Sequence, residues 1–356
     1  MRRSQASVIV VGCRHVCRAA IVVGTAWLAP ALGATPLMQP QLDGPLTTRT
    51  IEFPDLSDPA RSGRRTPIKV HVPQWTGPFP VVVLSHGGGG NWDANYAQAR
   101  HLASHGYVVL ALEHMASNTD RLRQGMRFGA NLKAMTRDAS EVLGRPRDVT
   151  FALDQAQQWN QSHPELKGVF DLTRVAVMGH SFGAYTALAV CGARPALDWL
   201  VPRVEPGHGL GPDLSDPRVK VCVALSPQGP GEPYFLEDSF ATINRPVLAI
   251  SGSRDEQQGA TPANRRRFFE LEPAGGKVLV WLANADHLAF SDATGSRRSN
   301  LPSRSRVDVQ PIARAATLLF LEAQLRGDAD ADARLSERGL QPQAHGVVNR
   351  IEVLRK

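Results

Sequence analysis

A complete set of closely spaced cysteine and histidine ligands for zinc is missing from this chain of 356 residues, and no metal site is expected. A phosphate-cradling loop is missing too. Four glycines stand together at 87–90, but the Lys-Ser/Thr of a P-loop does not follow them. No dense basic helix or aromatic-interleaved patch appears, which excludes the usual nucleic-acid surfaces, and no pattern implies a cofactor. Internal repeats are absent. Charged residues make up only 21% and apolar residues 42%, the balance of a folded globular chain rather than a disordered or multiply membrane-spanning one.

No apolar run reaches the ~20 residues of a membrane span. The longest such stretch, residues 19–32, follows Arg2, Arg3, Arg14 and Arg18 and precedes the small residues Gly33 and Ala34. Residues 1–34 therefore read as a secretory signal peptide cut after Gly33 or Ala34, leaving no span and a periplasmic or secreted protein. That segment holds four arginines and no acids, so its loss takes the formal charge from +7 to a mildly basic +3. Of four cysteines, Cys13 and Cys17 leave with it. Cys191 and Cys222 remain in apolar surroundings, either as two buried small hydrophobes or as a disulfide in an oxidising compartment.

What is present is a buried strand, a tight turn and a helix over 174–191, centred on Gly179-His180-Ser181-Phe182-Gly183. Residues 175–178 are apolar without polar alternation, as in a parallel strand covered on both faces. The flanking glycines permit the strained turn that lifts a serine hydroxyl above the sheet. Further apolar strands are read at 49–53, 67–72, 79–85, 107–112, 220–225, 247–251 and 277–282, with helices at 93–104, 148–159, 264–271 and 309–325. Strands alternating with helices argue an α/β class, a mostly parallel central sheet with helices on both faces and ligands at the carboxyl ends of strands. One domain over 35–326 is expected, then a polar tail over 327–356 to which no role is assigned. Two excursions, 116–146 and 195–217, break the alternation. The first carries Arg121, Arg123, Arg127, Lys133, Arg137 and Arg145 as either a solvated face or a substrate rim.

A serine hydroxyl needs a base to take its proton and a carboxylate to hold that base. Asp255 and His287 follow Ser181 on loops after the strands at 247–251 and 277–282, in the required chain order. Glu256 is the adjacent alternative acid. Asp286 is read as shaping its loop and His180 as pointing away from the serine. Activity should then rise with pH through titration of His287, near or somewhat above the free value of about 6.5. The Phe182 N–H and an N–H from the glycine loop, Gly88, are the expected oxyanion donors. Trp92 and His114 are candidates for the pocket wall.

The phrases VVVLSHGGGG, ASHGYVVLALEH, RPRDVTFALDQ, VAVMGHSFGAYTAL, DPRVKVCVALSP, RPVLAISGSRDE and ADHLAF span 79–290 and together resemble the α/β-hydrolase superfamily. Within it the chain is similar to the predicted dienelactone hydrolases and the platelet-activating-factor acetylhydrolases, and beyond them to secreted cutinase-like polyester hydrolases. The resemblance implies the α/β-hydrolase fold and a serine esterase acting on small carboxylic esters, carried by Ser181, Asp255 and His287. Two departures stand out. Dienelactone hydrolases proper use a cysteine nucleophile, and in the animal acetylhydrolases the acid follows the strand after the nucleophile. Here Leu225-Ser226-Pro227-Gln228 holds no carboxylate. A peptidase or perhydrolase on the same residues is the competing reading, and a non-catalytic binding module the remaining one. No large additional N-terminal domain of the prolyl-peptidase kind is seen.

Overall fold

The computed structural model describes residues 39–292 and 303–356. The expected signal peptide, 1–34, lies outside them. Nine strands form one sheet: β1 (Thr48–Phe53), β2 (Ile68–Pro73), β3 (Phe79–Ser85), β4 (Val108–Leu112), β5 (Phe170–His180), β6 (Val219–Leu225), β7 (Val247–Arg254), β8 (Lys277–Asp286) and β9 (Ile351–Arg355), the first eight on the apolar runs read above. Their spatial order is β1-β2-β4-β3-β5-β6-β7-β8-β9. From β4 across to β8 all neighbours are parallel, and the antiparallel pairs lie at the two edges.

Helices α1 (Tyr96–Ser104), α2 (Ala139–Ser162), α3 (Phe182–Val190), α4 (Pro262–Leu271) and α5 (Arg306–Arg326) cover the sheet, with α1 against α5 and α2 against α3. Successive residues Val81, Val82 and Val83 point to opposite faces and are all fully buried, which explains the unbroken apolar runs. Burying each contributes roughly 1.5–3 kcal/mol. The fold is thus the mostly parallel, two-faced α/β sheet expected.

Three features differ from the sequence reading or go beyond it. Helix α2 begins nine residues before the expected start at Asp148 and runs through Pro146. Proline cannot donate to the carbonyl four residues back. That carbonyl, on Val142, instead accepts the buried Tyr185 hydroxyl at 2.7 Å. Residues 327–356 are not a separate tail, because β9 adds to the sheet edge along β8, register Leu282 to Ile351 through Val278 to Arg355. The Gly275 and Lys277 N–H groups both donate to the Lys356 carbonyl at 3.1 Å, fixing the end of the chain. Cys191 and Cys222 form a disulfide, Cα atoms 6.4 Å apart, joining the end of α3 to β6.

Candidate active site

Ser181 sits between β5 and α3 with φ 56° and ψ −117°. A positive φ on a non-glycine residue costs of order 1–3 kcal/mol and persists only where its surroundings impose it. Here the Ser181 N–H donates to Leu225 O at 3.0 Å and its carbonyl accepts from Tyr185 N–H at 3.1 Å. The turn is tight because Gly183 lets α3 close on β3. A Cβ there would fall on the Ser85 carbonyl. The serine hydroxyl is left half-exposed at the carboxyl end of the sheet.

The ends of β7 and β8 bring Asp255 and His287 to it. His287 Nε2 lies 3.0 Å from Ser181 Oγ, and His287 Nδ1 lies 2.8 Å from Asp255 Oδ1. An ionised carboxylate only accepts, so Nδ1 carries the proton and Nε2 is free to accept from the serine. Asp255 is fully buried, whereas neighbouring Glu256 is exposed. Geometry thus separates two carboxylates that are adjacent in sequence.

Two residues not anticipated complete this cluster. Ser226, at the end of β6, donates to Asp255 Oδ1 at 2.9 Å and stands 2.8 Å from His287 Nδ1. Arg265, on α4 and fully buried, donates through Nε to Asp255 O at 2.7 Å and pairs with Asp255 Oδ1 at 3.0 Å. Its Nη1 binds the Ser226 and Pro227 carbonyls, and its Nη2 lies 3.2 Å from His287 Nδ1. Burial pushes the Asp255 carboxyl up, but the Arg265 charge and the hydrogen bonds from His287 and Ser251 outweigh it and hold the group at about 2. Burial lowers His287 below the usual imidazole value, against the hydrogen bond and charge of Asp255 and with the help of Arg265. This corrects the expectation of a titration near or above 6.5, because desolvation and a nearby cation both oppose the imidazolium.

The loop after β3 passes over the serine. The Gly89 N–H donates to Ser117 O at 2.8 Å and the Gly90 N–H to Gly87 O at 3.0 Å, while the Gly88 N–H has no acceptor among the described residues. The Phe182 N–H, first of α3, has no partner one turn back. Gly88, Phe182, Ser181 and His287 line one cavity of about 90 Å³, with Leu132, Thr136 and Gln228 among its other walls. Residues 116–146 therefore do reach the rim, while Arg121, Arg123, Arg127 and Lys133 face solvent.

Trp92 and His114 are not in that wall. Trp92 lies beneath the Lys69 ammonium, 4.9 Å from its ring centroid. His114 is fully buried behind the loop, its Nδ1 2.7 Å from Asp148 and its Nε2 2.9 Å from Ser85 Oγ. A strand-end position alone does not tell which side of the sheet a ring takes. His180 lines the same cavity as Ser181, its ring 4.8 Å from that of His287 and its Nε2 3.1 Å from the His287 carbonyl. Asp286 accepts from Leu288 N–H and from the Ser303 and Ser305 hydroxyls, shaping the loop. One further spacing, His101 and His105 four apart on one helical face, brings their rings to 4.8 Å. Among the described residues no group of three His, Cys, Asp or Glu is placed to hold a metal ion.

A parallel sheet with a serine on a strained strand-to-helix turn, facing a histidine and a buried aspartate, defines a class. Residues 82–353 match the alpha/beta hydrolase family, and the chain belongs to it. It is 28% identical over 304 residues to platelet-activating factor acetylhydrolase of Cavia porcellus, covering 75% of this chain and 63% of that protein. It is 22% identical over 220 residues to cutinase est1 of Thermobifida alba, 62% of this chain and 57% of that one. Cutinase est2 of the same organism is 21% identical, with 62% and 56% covered. The chain thus spans between 56% and 63% of the length of these relatives. Among the described residues no helix is long and apolar enough to cross a membrane.

Proposed function

We propose that the protein is an exported serine hydrolase that cleaves small carboxylic esters through an acyl-enzyme. The observation that carries this is the run of contacts from Ser181 Oγ to His287 Nε2 at 3.0 Å and from His287 Nδ1 to Asp255 Oδ1 at 2.8 Å. Ser181 attacks the ester carbonyl carbon as its proton passes to His287 Nε2, and the Gly88 and Phe182 N–H groups hold the oxyanion. Collapse expels the alcohol, which takes that proton. Water then attacks the acyl carbon with His287 again as base, and the bond to Ser181 Oγ breaks as that oxygen takes the proton back and the acid is released. Asp255 orients the ring and stabilises the imidazolium. A buried, ionised carboxylate suits that role.

The cavity, about 90 Å³ and partly open to solvent, has room for a short acyl group at Ser181. Similarity to an acetylhydrolase points the same way, while similarity to two cutinases supports a second reading, a bulkier polyester. Export is supported by the composition of residues 1–34 and by the Cys191–Cys222 disulfide. Hydrolysis of p-nitrophenyl esters from acetate to long chains tests both substrate readings. A short-chain optimum is expected, and a rate rising steadily to long acyl chains would overturn the short-acyl assignment.

A further inference from the structure

Arg145 is one of the largest fully buried side chains. A buried ion is weak support for stability, because apolar replacements of similar volume are often neutral or stabilising. Its contacts suggest what else it does. Nη1 donates to the His86 carbonyl at 3.0 Å, and Nε donates to Ser117 Oγ at 3.1 Å. The Ser117 carbonyl accepts the Gly89 N–H at 2.8 Å, and the Ser117 hydroxyl donates to Glu141. The Arg145 Cζ atom lies 4.0 Å from the centroid of the Phe182 ring. One guanidinium thus holds the loop on both sides of Gly88, at His86 directly and at Gly89 through Ser117. It also stacks on the residue that carries the second N–H.

The layer beneath supports the same loop. The His86 Nε2 accepts the His114 N–H at 3.0 Å, so its Nδ1 carries a proton, which it gives to Gly87 O at 2.7 Å. His114 in turn donates to Asp148, which Arg64 and Arg61 also bind at 2.7 Å. The charges are placed so that backbone on either side of Gly88 is tied to α2.

We propose that Arg145 is a positioning residue for the oxyanion hole, setting the separation of the Gly88 and Phe182 N–H groups by clamping the loop onto the Phe182 ring. This rests on the reading of those two groups as oxyanion donors. Removing the clamp loosens donors that act only on the developing charge. Ground-state binding is left almost untouched.

The test compares wild type, Arg145→Met, Arg145→Lys and Phe182→Leu on p-nitrophenyl acetate, with inhibition by a trifluoromethyl ketone and a thermal melt for each. Phe182→Leu keeps the N–H and the guanidinium but removes the ring, so it reports even if the methionine variant does not fold. Removing a whole oxyanion donor costs about 10²–10³ in kcat, so losing its positioning should cost roughly tenfold to a hundredfold. KM is expected within about twofold, ketone affinity should fall in parallel with kcat/KM, and Arg145→Lys should recover little, since an ammonium lacks the fork. The pH profile should keep its midpoint. Variants that melt earlier with kcat unchanged, or that raise KM alone, would overturn the proposal. Ser181→Ala runs alongside, and turnover by that variant would instead refute the esterase reading itself.

Discussion

The Ser226 hydroxyl stands 2.8 Å from Nδ1 of His287, as close to the ring as Asp255 is. It occupies the end of β6, where the sequence carries no carboxylate, and it also donates to Asp255. The acid of this site could therefore be moved. Asp255→Asn is expected to lower kcat by about 10⁴-fold, since a neutral amide no longer enforces the working tautomer. Adding Ser226→Asp places a carboxylate within reach of Nδ1, beside the Arg265 guanidinium that already binds the Ser226 carbonyl. Ser226 has φ 54°, a conformation aspartate tolerates better than most residues. The double variant should recover at least about tenfold over Asp255→Asn. No recovery in steady-state assays would show that Oγ and a carboxylate are not equivalent there.

The base should remain competent in mildly acidic solution. His287 faces Asp255, Asp286 and Arg265, with the neutral His180 ring behind it, and burial together with Arg265 lowers its pKa. A lowered pKa means the neutral, active imidazole persists below pH 6.5. The midpoint of the acid limb of kcat/KM should thus lie below pH 6.5. Arg265→Met removes the cation and should move the acid limb to higher pH. A wild-type limb above 6.5, or a variant limb moving to lower pH, contradicts this assignment.

A second Ser-His-Asp sequence of hydrogen bonds, Ser85 to His114 to Asp148, lies within the molecule. Ser85 and His114 are fully buried and line no part of the cavity. Fluorophosphonate should therefore attach once per chain, at Ser181. Mass spectrometry of labelled peptides checks this, and modification of Ser85 in the native protein would contradict it.

The Cys191–Cys222 disulfide spans 31 residues of sequence. Restricting a loop of that length in the unfolded chain stabilises the fold by roughly 3–4 kcal/mol in the chain-entropy description. The Cys191→Ala, Cys222→Ala double variant should lose most of that in urea unfolding. Unchanged stability would mean that the oxidised pair adds nothing to the fold.

The architecture was legible because strands buried on both faces are apolar nearly throughout, and 79–85, 107–112 and 221–225 read that way. The turn at Ser181 was legible because only glycine fits beside it. Arg145 and Arg265 were not, since arginine is usually exposed and burial depends on partners distant in sequence. Ser226 was not legible because a serine at a strand end carries no local sign of its contact with a histidine 61 residues on. The strand Ile351–Arg355 was not legible because an edge strand needs only partial burial, so its polar residues read as a tail. The proline in α2 broke the helical pattern on paper, while Tyr185 repaired it in space.

The most direct test of the account is turnover of p-nitrophenyl acetate by wild type and Ser181→Ala, with fluorophosphonate labelling of both. Ser181 Oγ is the only atom the proposed mechanism asks to form the acyl bond, so the variant should lose essentially all turnover and labelling while melting near the wild-type temperature. Hydrolysis and labelling that survive in a folded Ser181→Ala would show that the chemistry resides elsewhere.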